Sequence, residues 1–297
     1  MSLRDAGKRL RRAVRFGLLR AAVASLAWLP VGVACALGAA IGRLAYIVAS
    51  GERRAALEGL AVAFPDKPDA ERRRIARAAF ANLGRSAMEL VVARRLDRDL
   101  FERVVIPEPS RALLREALAE GRGVVFVTAH LGNWELMARR VAREFDARTV
   151  AREAHDPRVT ALLERKRAEG GLKTIWRGKP GAAREILRAL KEGAILGLLL
   201  DQDIPSVQGV FVPFFGHPAW TPRAAADLAQ RREPRPVVLG TARRLGPGRH
   251  EIRVRRLEPG SDPVEATARF TAAIEAEIRE RPEEWVWMHR RWKTKSR

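Results

Sequence analysis

Val124–Val–Phe–Val–Thr–Ala–His–Leu–Gly–Asn–Trp–Glu135 is the stretch on which the reading of this chain turns. A β-branched apolar run climbs to His130, and a Gly-Asn turn leads to Glu135 in what reads as the first turn of a helix. Neutral imidazole is the side chain best suited to take a proton near pH 7, and a nearby carboxylate can fix its tautomer and stabilise the imidazolium. Five steps of about 100° rule out a shared helix face for His130 and Glu135. The two meet only if His130 sits in the strand-to-helix turn. Strand ends followed by helix N-termini are where open α/β sheets place their sites. Gly132 permits close backbone approach, and Asn133 reads as the N-cap of the helix.

Working outward, strands and helices alternate. Strands are expected over residues 123–128, 147–151, 172–176 and 194–200, with helices over 133–145, 156–169 and 181–191 between and after them. Residues 194–200 have no polar face, as in a strand covered on both sides. Earlier helices are expected over 69–96 and 111–120. Beyond the alternating part come a helix over 221–230, a strand pair at 235–244 and 250–258, and a helix over 263–279 capped by Asp262. The pattern predicts an α/β fold: a mostly parallel central sheet flanked by helices, in one catalytic domain over residues 51–297.

Residues 1–50 differ in character. Lys8, Arg9, Arg11, Arg12, Arg15 and Arg20 precede 22 residues, 21–42, without a charge. That length suffices to cross a bilayer core, and it exceeds the apolar region of a cleaved signal peptide. Pro30, with Gly32, Gly38 and Gly42, is able to break it into a shallow or interfacial anchor. The expectation is a membrane-anchoring segment holding the domain on the cytoplasmic face.

The 297 residues carry 56 Lys and Arg against 35 Asp and Glu, a net charge of +21. Such an excess points to an anionic partner, whether nucleic acid, an anionic membrane or an acidic ligand. Cys35 is the only cysteine, which leaves no disulfide framework, and the five histidines have no metal-ligand spacing. No metal or cofactor is expected. The tail holding Trp285, Trp287 and Trp292 with Arg290, Arg291 and Lys293 suits either a membrane interface or nucleic acid. The apolar N-terminus favours the membrane, so no nucleic-acid partner is expected.

Four blocks together carry a resemblance. They are His130–Leu131–Gly132–Asn133–Trp134–Glu135; Asp201–Gln202–Asp203 after an apolar strand; Val212–Pro213–Phe214–Phe215–Gly216 followed by Ala219 and Thr221; and Arg281–Pro282–Glu283–Glu284–Trp285 running on to Lys293. In these the chain resembles the lysophospholipid acyltransferases, in particular the bacterial lipid A biosynthesis acyltransferases of the lauroyl/myristoyl type. The resemblance implies transfer of a fatty acyl chain from acyl carrier protein to a hydroxyl of a lipid A precursor at the inner membrane. It casts His130 as general base and Glu135 as its partner. It implies substrate contacts from Gly132, Asn133, Arg152, Arg165, Asp201 and Gln202, and from Phe214, Phe215 and Gly216 along an acyl tunnel. Blander roles stand beside these: an Asx turn for Asp201–Gln202–Asp203, a solvated face for any one arginine, and a helix-dipole role for Glu135. Another anionic glycolipid or a lysophospholipid remains an alternative acceptor, and a non-catalytic basic protein bridging membrane and nucleic acid an alternative class.

Overall fold

The apolar runs become one seven-stranded sheet and one separate hairpin. The computed structural model describes Val14, residues 16–18, 20–231 and 234–295. Lys8, Arg9, Arg11, Arg12 and Arg15 lie outside the described residues. The strands are β1 (Val104–Val105), β2 (Val124–Thr128), β3 (Ala147–Arg152), β4 (Lys173–Arg177), β5 (Ile195–Leu199), β6 (Gly209–Phe214), β7 (His217–Pro222), β8 (Val237–Gly246) and β9 (Arg249–Leu257). The sheet order is β1-β9-β8-β2-β5-β3-β4, and β6 pairs only with β7. From β8 to β4 every neighbouring pair is parallel, while β9 is antiparallel to β8. The expected mostly parallel sheet is therefore present.

From Val31 onward the helices of six or more residues are α1 (Val31–Val48), α2 (Ser50–Ala63), α3 (Asp69–Val91), α4 (Glu108–Ala119), α5 (Trp134–Ala142), α6 (Pro157–Glu169), α7 (Ala182–Lys191), α8 (Ala224–Ala229) and α9 (Pro263–Glu280). Strand periodicity divides β2 between two cores. Val125 and Val127 pack with Leu196, Phe270, Ile274 and Ile278 on one face. Val124 and Phe126 pack with Leu114, Leu136, Met137 and Val141 on the other. All five residues of β2 are buried. Asp262 caps α9, accepting from the amides of Val264 at 2.7 Å and Glu265 at 3.0 Å.

Two expectations change. Residues 221–230 are helical only from Ala224, because Thr221 and Pro222 belong to β7. The Phe–Phe–Gly block is the tip of the β6–β7 hairpin, with Phe215 at φ 51° and Gly216 at φ 76°. Two successive left-handed residues are what a tight two-residue hairpin turn needs. A bulky residue there is unusual. Its amide is held by Glu275 Oε2 at 2.5 Å.

The uncharged run is not one helix. It is helical to Leu26, turns, and restarts after Pro30 as α1. By length and composition α1 is able to cross a membrane, with a mean hydropathy of 1.9. It also has an inner face of Ala34, Cys35, Gly38, Ala39, Gly42 and Tyr46. A Cβ on Gly38 would lie 2.3 Å from the Gly84 carbonyl oxygen, and one on Gly42 2.2 Å from that of Phe80. The glycines thus let the backbones of α1 and α3 approach closely, as in small-residue seams between membrane helices. Val33, Ile41, Leu44, Ile47 and Val48 stay exposed on the outer face.

Candidate active site

β2 and β5 pair in parallel with Thr128 opposite Leu199. Two residues further along each chain, His130 and Asp201 meet. Asp201 Oδ1 lies 2.9 Å from His130 Nδ1. Its Oδ2 accepts the His130 backbone N–H at 2.9 Å and the Trp285 indole N–H at 2.8 Å. Asp201 is 2% exposed. Burial alone would push its carboxyl up, but His130, then His289 and the Trp285 N–H, reverse that and hold it well below the usual carboxylate range. An ionised Asp201 takes the Nδ1 proton in its hydrogen bond and leaves Nε2 with a free lone pair. That is the arrangement of a general base.

Glu135, expected to orient His130, does something else. Its carboxylate pairs with Arg167 through Nη2–Oε1 at 2.5 Å and Nε–Oε2 at 3.0 Å. A planar guanidinium matches a carboxylate in this bidentate way, and Asp201 already holds Nδ1. Arg167 keeps Nη1 buried without a hydrogen-bond partner. Arg165, one of the two arginines expected in the site, is exposed and outside the cavity lining. Two helical steps turn it about 200° away from Arg167.

His130, Glu135 and Arg167 line a cavity of about 870 Å³ at the C-terminal edge of the sheet. Its apolar lining includes Phe126, Met137, Val141, Leu172 and Ile195, with Gly197 of β5. Arg152 and Arg177, opposite each other on β3 and β4, line it farther from His130. No carboxylate pairs with either among the described residues. Burial and then the Arg152 charge lower the Arg177 pKa. Gln202 also lines the cavity, its amide nitrogen 3.2 Å from His130 Nε2 and 2.7 Å from His289 Nε2.

The other expected contacts are structural. Asn133 is 2% exposed, caps α5 by accepting from Leu136 N at 3.0 Å, and donates to Glu89 Oε2 at 2.7 Å. The Gly132 amide donates to the Glu284 carbonyl at 3.0 Å, so it is not free for an oxyanion. A Cβ at Gly132 would sit 1.9 Å from the Ala242 oxygen, so its close approach is to β8 and not to a ligand. Phe214 and Phe215 are 1% and 5% exposed and lie outside the cavity lining. They pack with Phe64, Trp285, Trp287 and Trp292, while Gly216 is an exposed turn residue. Trp285, Trp287 and Arg291 are almost fully buried, which removes them from any membrane interface.

Asp201 was expected as a substrate contact; its role against His130 depends on β2 and β5 being neighbours, which spacing 71 residues apart does not encode. His289, Arg167 and Arg177 were missed for the same reason. A polar residue at a strand end marks Asp201 and Arg177, whereas Arg167 lies on α6 and His289 in the C-terminal segment.

The sequence has counterparts among known proteins. Residues 6–294 match the family described as bacterial lipid A biosynthesis acyltransferase. The chain belongs to that family. It is 26% identical over 277 residues to the lipid A biosynthesis lauroyltransferase of Escherichia coli K12, covering 90% of this chain and 87% of that one. The palmitoleoyltransferase of the same organism is 26% identical over 270 residues, with 90% and 87% covered. The lipid A biosynthesis acyltransferase of Haemophilus influenzae is 25% identical over 280 residues, with 91% and 88% covered. As a member of this family, the chain is an acyltransferase of lipid A biosynthesis.

Proposed function

We propose that the enzyme moves a fatty acyl group from the thioester of acyl carrier protein to a hydroxyl of a lipid A precursor. The supporting observation is the Asp201–His130 pair at the mouth of a cavity that is also lined by Arg152 and Arg177, with which no carboxylate pairs among the described residues. The acyl chain enters between the sheet and α5, which leaves the thioester carbonyl near His130. His130 Nε2 takes the proton of the acceptor hydroxyl as its oxygen attacks that carbonyl. Asp201 keeps the ring in the Nδ1–H tautomer and stabilises the imidazolium. The unpartnered Nη1 of Arg167, oriented by Glu135, donates to the tetrahedral oxyanion. The thiolate leaves and takes up the proton held by His130.

Arg152 and Arg177 bind an acceptor phosphate, since two adjacent guanidinium groups repel until an anion lies between them. The outer face of α1 rests in the inner membrane with the domain on the cytoplasmic side, where acyl carrier protein is available. The net charge of +21 suits both an acidic carrier and an anionic surface.

Purified protein supplied with acyl carrier protein thioester and a lipid A precursor tests the reading. His130→Ala is expected to lower transfer at least about a hundredfold with the fold intact, the usual scale of general-base catalysis. Near wild-type turnover by a folded His130→Ala protein would sink the reading. Mass spectrometry of lipid A from a deletion strain identifies the missing chain.

A further inference from the structure

Between α3 and β1 the chain carries a run of charges, most of which find partners. Arg94 pairs with Glu169 at 2.8 Å. Asp97 is taken by Arg139 and Arg143. Asp99 accepts from Arg103 Nε at 2.6 Å. That accounting leaves Arg95 and Arg98, with which no carboxylate pairs among the described residues. The Nε of Arg95 is in addition buried without a hydrogen-bond partner. A buried donor left in this way costs free energy that an arriving acceptor would relieve.

Arg95, Arg98 and Arg103 line a second cavity, of about 410 Å³, together with Asp99 and with Pro30, Val31 and Gly32 at the start of α1. Three guanidinium groups stand against one carboxylate, so the lining carries an excess of positive charge. A guanidinium presents a planar fork of N–H donors that matches phosphate oxygens. The surroundings say which phosphate. Trp28, just before the cavity, is 76% exposed, and the outer face of α1 beyond it is apolar from Val33 to Val48. Leu245, beside the β8–β9 turn that closes the cavity, is exposed as well. An exposed tryptophan and arginines at the end of an apolar helix are the side chains that settle at the headgroup level of a bilayer. A soluble phosphate would satisfy the arginines alone, whereas a lipid satisfies both the arginines and the apolar surface.

We propose that this cavity is a lipid site, in which Arg95, Arg98 and Arg103 hold the phosphate of an anionic phospholipid whose acyl chains run along the outer face of α1. The site is separate from the one around His130, since the two cavities share no lining residue. Its lipid is therefore not the acceptor on which the enzyme acts. It fixes the start of α1 at headgroup level and so sets how the enzyme sits on its membrane.

The inference rests on the membrane placement of α1 proposed above, and two measurements on the full chain separate them. Flotation with phosphatidylcholine vesicles tests the placement, and wild-type protein that does not float overturns it. The site is read in non-ionic detergent, by titration with phosphatidylglycerol and native mass spectrometry of the retained lipid. Wild type is expected to retain it. Arg95→Gln with Arg98→Gln should weaken retention about tenfold or more, the scale of two cations worth about 1 kcal/mol each at an anionic surface. Arg184→Gln with Arg188→Gln removes the same charge from exposed positions on α7, which packs beside the edge strand β4. That pair should leave retention within about twofold. Equal losses in the two double variants would show attraction by net charge alone and overturn the site. Displacement of the lipid by an equal concentration of inorganic phosphate would overturn the lipid assignment. Should the first double variant not fold, Arg98→Gln alone decides, because Arg98 is exposed. Its expected loss is about three- to fivefold, and unchanged retention overturns the site.

Discussion

At the scale of single residues, the two acids near His130 have separable duties. Asp201 touches His130, the proposed base, and Glu135 touches Arg167. Asp201→Asn keeps the size but not the charge, and its amide is able to stabilise the wrong tautomer. Transfer is therefore expected to fall by about a hundredfold or more. Glu135→Gln leaves the base intact but loosens the bidentate hold on Arg167. Turnover should fall about tenfold while the acceptor KM stays within about twofold, because an oxyanion contact is made only in the transition state. Steady-state kinetics on both variants checks this. Equal, full activity of Asp201→Asn would remove Asp201 from the mechanism.

At the scale of elements, periodicity made β2, β5 and the helices between them legible, because a buried parallel strand is a short apolar run and its bounding helix carries its own cap. The hairpin β6–β7 was not legible. Its tip depends on Phe215 accepting a left-handed conformation, held from α9 by Glu275. Nor was the inner face of α1, since hydropathy reports apolar character and not what an apolar face packs against. Within the site, the position of His130 was readable and its partner was not. The cavity proposed for the acyl chain depends on an element detail too. Gly197 in β5 lines it, and a Cβ there would meet nothing closer than 3.6 Å. Gly197→Ala should fold with little cost. Gly197→Leu places a side chain across the channel, so the preferred acyl chain should shorten by several carbons while turnover with short donors survives. Competition between donors of different length, read by mass spectrometry, measures the shift. An unchanged length preference in a folded Gly197→Leu enzyme would place the chain elsewhere.

At the scale of the whole molecule, one buried acid ties the apolar N-terminal helix to the sheet and to the helix that follows His130. Glu89 on α3 is 0% exposed. It accepts from Asn133 Nδ2 at 2.7 Å, Gly248 N at 3.0 Å and the Arg244 guanidinium, and its Oε2 lies 3.1 Å from His250 Nε2. Cys35 of α1 also reaches it, at 3.4 Å. Burial alone would push its carboxyl up, but His250 and Arg244 more than reverse this and hold it well below the usual range. A carboxyl depressed in the folded state adds stability that is complete above its unfolded pKa of about 4.3 and is lost as pH falls toward the folded value. Glu284 has a raised pKa, mainly from burial, and so acts with the opposite sign in the same acid range. Comparing wild type with Glu89→Gln isolates the Glu89 contribution. Near pH 7 the variant leaves Arg244 partly buried without its charge partner, at a cost of about 3–5 kcal/mol. The stability gap in urea unfolding should stay wide from pH 7 to about 5 and narrow between about 5 and 3. A gap that stays constant across that range would show that the Glu89 charge does not hold these elements together.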